Sequence, residues 1–322
     1  MVTNVQPLIE DMGHDVYLID LLEQGMPYRT AAYLIRDDQP TLIETGAANS
    51  HDTLVAGLQK LGLHPRDLAY VVVTHVHLDH AGGAGQMMAL ADNAQLVVHP
   101  RGARHMADPS RLWQGAGQVY GERLEALFGP VVPVRPEQIL VRNHEDTLSI
   151  GSRTLTFFDS PGHAKHHFTI LDPVSDALFA GDAVGIRYRR EFTGWDEEWV
   201  IPSTSPVDFD PAAVHRTLDM LEAIPFSTVY HAHHGRSPKE EAIRATRRGA
   251  DEMAALIERV YHEGVSVQEV MGALQDWVVD HVRRIGIQPG ADLSPLQVDM
   301  FVDALGLMHY ESTRRKRAAE NG

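Results

Sequence analysis

The chain has 322 residues, 43% hydrophobic and 22% charged, an ordinary globular balance that excludes disorder over most of its length. It has no cysteine, which excludes disulfides, a thiolate nucleophile and an iron–sulfur cluster, and its formal net charge of −16 disfavours binding to nucleic acid. No apolar run approaches the roughly 18 residues of a membrane helix, and the opening residues lack a basic segment followed by an apolar one, so the expected location is cytoplasmic with no membrane partner.

Strand and helix signals alternate through the first half. Segments 16–18, 31–35 and 41–44 read as strands, and Asn49 or Ser50 is placed to cap a helix over 51–61 that Gly62 stops. The apolar, β-branched run 69–73 reads as a buried strand, followed by a helix over about 83–90 and a strand over 95–98. Residues 101–136 carry several glycines and prolines and read as irregular, with one short helix near 121–128. The second half opens with strands 147–150 and 153–159 around a Gly151-Ser152 turn, then 168–172 and 177–180 around residues 173–176. Asp210-Pro211 starts a helix, and 228–231 is the last strand.

From Ser237 the pattern is helical. Ser237-Pro238-Lys239-Glu240 reads as a capping box opening a helix to about residue 262, Ser266-Val267-Gln268-Glu269 is a second box, and Ser294-Pro295 starts a third helix with Leu296, Met300, Ala304 and Met308 on one face. The chain therefore divides into a domain over 1–236 and a helical extension over 237–322. Apolar faces at Val270, Leu274 and Trp277, and at Met300 and Leu305, need partners, which points to a homodimer. The basic run Arg314-Arg315-Lys316-Arg317 reads as the cationic last turn of a helix.

The chemistry concentrates in Thr74-His75-Val76-His77-Leu78-Asp79-His80-Ala81-Gly82-Gly83. Three imidazoles and a carboxylate fall within six positions at the end of a buried strand. As a packed core they would carry a heavy desolvation cost. In extended backbone His75 and His77 share a face, while Asp79 and His80 sit where the chain turns and can address a second point nearby, an arrangement suited to two cations. Three later strands each deliver a ligand-type residue beside glycine: Pro161-Gly162-His163, Gly181-Asp182, and His231-Ala232-His233-His234-Gly235. Without cysteine, any metal is held by nitrogen and oxygen, as suits zinc, iron or manganese.

This order of motifs, over about residues 15–236, resembles the metallo-β-lactamase-fold hydrolase superfamily, including glyoxalase II-like dinuclear enzymes. The resemblance implies an α/β fold: an αββα sandwich of two mixed sheets flanked by helices. It further implies that His75, His77 and His163 hold one divalent ion, that Asp79, His80 and His234 hold a second, and that Asp182 serves both. Among the late histidines His234 is preferred because it stands immediately before glycine. His233 is the next choice, and His231, His166 and His167 are supporting residues. Where that family's early Val-Asp-Thr-Gly motif has aspartate, this chain has Glu44 in Ile43-Glu44-Thr45-Gly46, one methylene longer, and Thr74 joins it in orienting the ligands.

The reaction implied is hydrolysis of a small-molecule ester, thioester or lactone by water activated between two ions, expected to be Zn2+ with Fe or Mn also fitting, and with Asp79 and Asp182 as the catalytic carboxylates. Neighbouring readings are a phosphodiester or phosphotriester hydrolase and a persulfide dioxygenase with one iron. A scaffold that has lost its site is disfavoured, because all seven ligand positions are filled. The segment 183–195 mixes aromatics with three arginines. Tyr188 and Arg187 are candidate anchors for a substrate carboxylate or phosphate, against a competing reading in which the arginines pair with Asp196, Glu197 and Glu198. Trp113 and Tyr120 are candidates for an opposite wall.

Overall fold

Three short, apolar segments in the first third of the chain alternate their side chains between two different cores. Leu42, Val71 and Leu96 face one cluster, and their chain neighbours Ile43, Val72 and Val97 face another. A strand buried on both faces reads as a continuous apolar run, which is why these segments lack a polar alternation. The computed structural model describes residues 7–290 and 292–321. Its contacts group into two compact units, the first comprising residues up to Asp159, His166–Gly181 and Pro225–Ser237, and the second Ser160–Lys165, Asp182–Ile224 and the segment from Pro238 on.

The first unit holds two sheets. One has seven strands in the order Ile9–Gly13, Val16–Asp20, Ala31–Ile35, Thr41–Ile43, Tyr70–Val72, Gln95–Val98 and Ile139–Val141. Its first four are antiparallel and the rest parallel. The other has six strands in the order Gly235–Pro238, Thr228–His231, Ala177–Gly181, Phe168–Asp172, Thr154–Asp159 and Thr147–Ser149. Within it Ala177–Gly181 runs parallel to Thr228–His231 and antiparallel to Phe168–Asp172. The sheets meet through Leu18, Tyr33, Ile43, Val72 and Val97 on one side and Leu155, Phe157, Phe168, Phe179 and Tyr230 on the other. The opposite face of the seven-stranded sheet is covered by helices His51–Lys60 and Ala84–Leu90, through Leu54, Leu58, Met87 and Met88. This is the α/β sandwich of two mixed sheets with flanking helices that the motif order implied.

The second unit is mainly helical: Pro211–Ala223, Lys239–Val260, Val267–Arg284 and Gln297–Asn321, with a two-stranded ribbon of Ile186–Tyr188 and Trp199–Ile201. Asp210 caps the first of these, its carboxylate accepting the Ala212 and Ala213 amides at 3.0 and 3.3 Å. The box at Ser266 forms as expected, Glu269 accepting the Ser266 amide at 2.9 Å. No helix among the described residues is long and apolar enough to cross a membrane.

Three local expectations are corrected. The segment 101–136 holds two helices beyond the expected one, Pro100–Ala107 and Ser110–Tyr120. The first is started by His99, which accepts the Arg101 amide, with Pro100 at the first helical position. Ser237 caps nothing: it lies in strand Gly235–Pro238, and its hydroxyl stands 2.6 Å from His231 Nε2. The basic run does not end its helix, which continues to Asn321; Arg314 and Arg315 instead clamp the buried Glu311 at 2.6 Å each.

Candidate metal centre

Past the end of strand Tyr70–Val72 the chain turns through residues 73–77 into the short helix Leu78–Ala81. The His75 and His77 side chains emerge together, with His75 Nε2 2.9 Å from His77 Nδ1. The His75 ring also lies 4.0 Å from the His80 ring, and stacks on His167 at 4.7 Å. His166 accepts the Val76 amide at 3.4 Å and sits edge-on to His77. Gly181 makes this layer possible: it has φ +50°, and a Cβ there would stand 2.5 Å from Thr74 Oγ1 and 2.6 Å from His167 Nε2.

Asp79 and His80 lie together, and the late histidine beside them is His233. His233 Nε2 lies 3.3 Å from His80 Nε2 and 3.4 Å from Asp79 Oδ2, and His80 Nε2 is 3.7 Å from Asp79 Oδ2. Asp79, His80 and His233 thus form a group with one donor atom each inside 4.8 Å. His234, the residue preferred from sequence, lies elsewhere. Its Nε2 is 3.5 Å from Asp20 Oδ2, and its ring is edge-on to Tyr28 at 5.6 Å. The reason is the loop between strands Val16–Asp20 and Ala31–Ile35. Its Arg29 carbonyl accepts His233 Nδ1–H at 2.9 Å, with Thr30 Oγ1 at 3.2 Å, and this turns His233 Nε2 towards His80.

The Glu44 carboxylate faces His80 Nδ1 at 3.6 Å and accepts the Thr74 amide at 3.3 Å and the Thr74 hydroxyl. Burial acts to raise the pKa of Asp79, but the neighbouring His80, the hydrogen bond from His233 and the charge of His77 outweigh it and hold the carboxyl far below its ordinary range. Glu23 behaves oppositely: burial lifts its pKa against the pull of Arg29, which is 3.4 Å away.

The second unit brings together the other two expected ligands. His163 Nε2 lies 3.6 Å from Asp182 Oδ2, and both side chains are buried. His163 Nδ1–H donates to the Ser203 carbonyl at 3.1 Å, which leaves Nε2 as the basic nitrogen. Its Pro161-Gly162 turn is anchored by Thr217, whose hydroxyl donates to Pro161 O at 2.6 Å. Gly162 has φ +139°, and a Cβ there would stand 2.8 Å from the Val214 backbone.

The candidate substrate anchors are placed differently from the functional expectation. Arg187 is in a close ion pair with Glu198, and the buried Tyr188 hydroxyl donates to Asp299 at 2.9 Å. Trp113 and Tyr120 pack in a small apolar cluster with Leu78, Leu124 and Phe128. Sequence reasoning missed Asp20, Glu23, Arg29 and Ser203, which act through loop geometry that no local pattern announces.

Imidazoles and carboxylates converge here without a thiolate. Two Nε2 atoms 3.3 Å apart beside an ionised carboxylate are a donor set that a divalent cation fits. The model of the Metallo-beta-lactamase superfamily matches residues 25–233, and the chain belongs to that superfamily. The solved structure of its archaeal member ST1585, from Sulfolobus tokodaii, superposes with a TM-score of 0.65 at 20% identity, covering 91% of this chain and 98% of that one. By sequence, ST1585 of Sulfurisphaera tokodaii is 26% identical over 143 residues, 44% of this chain and 51% of the relative. The acyl-coenzyme A thioesterase MBLAC2 of Gallus gallus is 33% identical over 129 residues, 38% of this chain and 44% of the relative. The N-acyl homoserine lactonase AttM of Azorhizobium caulinodans is 33% identical over 118 residues, 36% of this chain and 40% of the relative. The chain thus spans about half, or less, of the length of these curated relatives.

Proposed function

We propose that this chain is a dinuclear metal-dependent hydrolase acting on a small acyl thioester, ester or lactone. In this reading His75, His77 and His163 hold one Zn2+, Asp79, His80 and His233 hold the other, and Asp182 serves both. His234 is the alternative to His233. The catalytic motifs fall within residues 1–236, with 237–322 as a helical extension.

The observation that carries the reading is the convergence of Asp79, His80 and His233 on one point. The substrate class is supported by two relatives whose names specify an acyl thioester and an N-acyl lactone, both electrophilic acyl carbonyls. Bound divalent ions supply a lowered pKa for water and polarisation of the target carbonyl. The chain's own residues supply the rest. The Arg29 and Ser203 carbonyls accept from the far nitrogens of His233 and His163, so those two rings present Nε2, and the Glu44 carboxylate places a negative charge opposite His80 Nδ1. Asp79, held ionised, stays available as an anionic ligand and as an acceptor of a hydrogen bond that orients water.

Elemental analysis of the purified chain, followed by a panel of thioester, lactone and phosphoester chromogens, tests this. The expected result is two equivalents of metal per chain and turnover of acyl substrates. Asp182→Ala should lose both metal and turnover while its far-ultraviolet circular dichroism is unchanged. Full turnover after complete metal removal overturns the reading.

A further inference from the structure

The segment that carries Ser203 is held in the second unit by two helices at positions where only glycine fits. A Cβ on Gly306, in helix Gln297–Asn321, would stand 1.4 Å from the Thr204 carbonyl oxygen. A Cβ on Gly249, in helix Lys239–Val260, would stand 2.3 Å from Pro202 Cδ. Between these contacts the Thr204 amide donates to Asp303 Oδ1 at 2.7 Å, and the Thr204 hydroxyl lies 3.0 Å from the same oxygen and 3.1 Å from the Asp303 carbonyl. Thr204 and Asp303 are both buried. One residue before Thr204, the Ser203 carbonyl takes the His163 Nδ1 proton at 3.1 Å, and one residue after it the Ser205 hydroxyl stands 3.5 Å from His163 Nε2.

We propose that Asp303 is a positioning residue for the metal centre: it fixes Thr204, and the backbone so fixed sets the tautomer and aim of His163. The C-terminal helix then takes part in metal binding without offering a ligand. A buried carboxyl that receives both the amide and the hydroxyl of one residue fixes that residue's backbone in place, and a carbonyl fixed in this way sets the orientation of the imidazole bonded to it. The inference rests on the metal-centre reading above.

The test uses the full chain with Zn2+ and Co2+ as probes. Zinc affinity is read by competition with a chromophoric chelator, and ligand geometry by the visible spectrum of the Co2+ form. Wild type is expected to bind two ions. Asp303→Ala is expected to weaken one of them about 10–100-fold and to alter the Co2+ band. Asp303→Asn, which keeps the acceptor oxygen, should restore both. If Asp303→Ala fails to fold, Thr204→Val removes the hydroxyl contacts alone and should give a smaller loss at the same ion. Two ions bound by a folded variant at wild-type affinity, with an unchanged Co2+ spectrum, overturn the inference while leaving the centre intact. No metal bound by wild type overturns the centre itself.

Discussion

Glu44 Oε1 lies 3.6 Å from His80 Nδ1 while accepting the Thr74 amide at 3.3 Å. The backbone at Glu44 has φ +67°, a left-handed conformation that costs a non-glycine residue about 1–2 kcal/mol. From it the carboxylate reaches both His80 and the Thr74 amide at the end of the ligand-bearing strand.

Removing this charge should therefore weaken metal binding without unfolding the sandwich. Glu44→Gln keeps the size of the side chain and an acceptor for the Thr74 amide, but loses the negative charge facing His80. A loss of about 10–100-fold in affinity for one of two ions is expected, measured by zinc competition. An unchanged affinity would show that His80 is oriented by the packing around it and not by Glu44.

His233 and His234 separate a motif rule from the observed geometry. His233→Ala should lose the ion held with Asp79 and His80, lowering the stoichiometry from two to one. His234→Ala should retain two ions, because that ring faces Asp20 at 3.5 Å. The reverse outcome would mean that the residue before Gly235 is the ligand after all.

The same pair shows what was legible in the chain. His75, His77, Asp79 and His80 lie within six positions at the end of an apolar strand, so local geometry alone brings them together. The strands were legible for a similar reason, since burial on both faces demands unbroken β-branched runs such as Val71-Val72-Val73. Which of His233 and His234 stands beside His80 was not legible. It depends on the Arg29 carbonyl and Thr30 hydroxyl, more than 200 positions away in sequence. Ser237 misled because Ser-Pro-x-Glu has the form of a helix cap, while tertiary contact with His231 claimed the hydroxyl. The helix Ser110–Tyr120 was hidden by Gly115 and Gly117, which lower helix propensity. Its apolar side chains are only half-buried against Leu124 and Phe128.

Stability should fall as pH rises towards neutrality through one group in the helical unit. Burial pushes the Asp303 carboxyl up to about 7, with the bonds from Thr204 opposing and the charges of Asp299 and Asp182 adding. In the unfolded chain the group titrates near its ordinary value of about 4. Between those two points the folded state holds a proton that the unfolded state has released. Stability from this group is thus complete below about pH 4, declines to about pH 7, and is flat above. The full span is on the order of 4 kcal/mol. Urea unfolding of the metal-free chain across this range should show the decline, and Asp303→Asn should flatten it. A parallel decline in the variant would assign the effect to other groups.

A second stability prediction concerns the sandwich and leaves the metal centre untouched. Arg153 lies almost fully buried at the turn between strands Thr147–Ser149 and Thr154–Asp159. Its guanidinium bonds Asp172 at 2.8 Å, Asp37 at 3.1 Å and the His14 carbonyl at 2.9 Å, so one side chain ties three separate turns. Asp172 is fully buried, and its other partners are neutral donors, the Ser175 hydroxyl and the Val174 amide. Arg153→Met keeps most of the volume but strands the Asp172 charge in the interior, a change that costs about 3–5 kcal/mol. Replacing both partners, as Arg153→Met with Asp172→Asn, should recover a substantial part, because the uncompensated charge and not the lost attraction dominates the penalty. Chemical denaturation of the two variants measures this. Equal destabilisation in the single and double variants would instead assign the cost to the loss of the arginine's tie to Asp37 and His14. Zinc stoichiometry should be unchanged in both, since none of these residues touches a ligand of the centre.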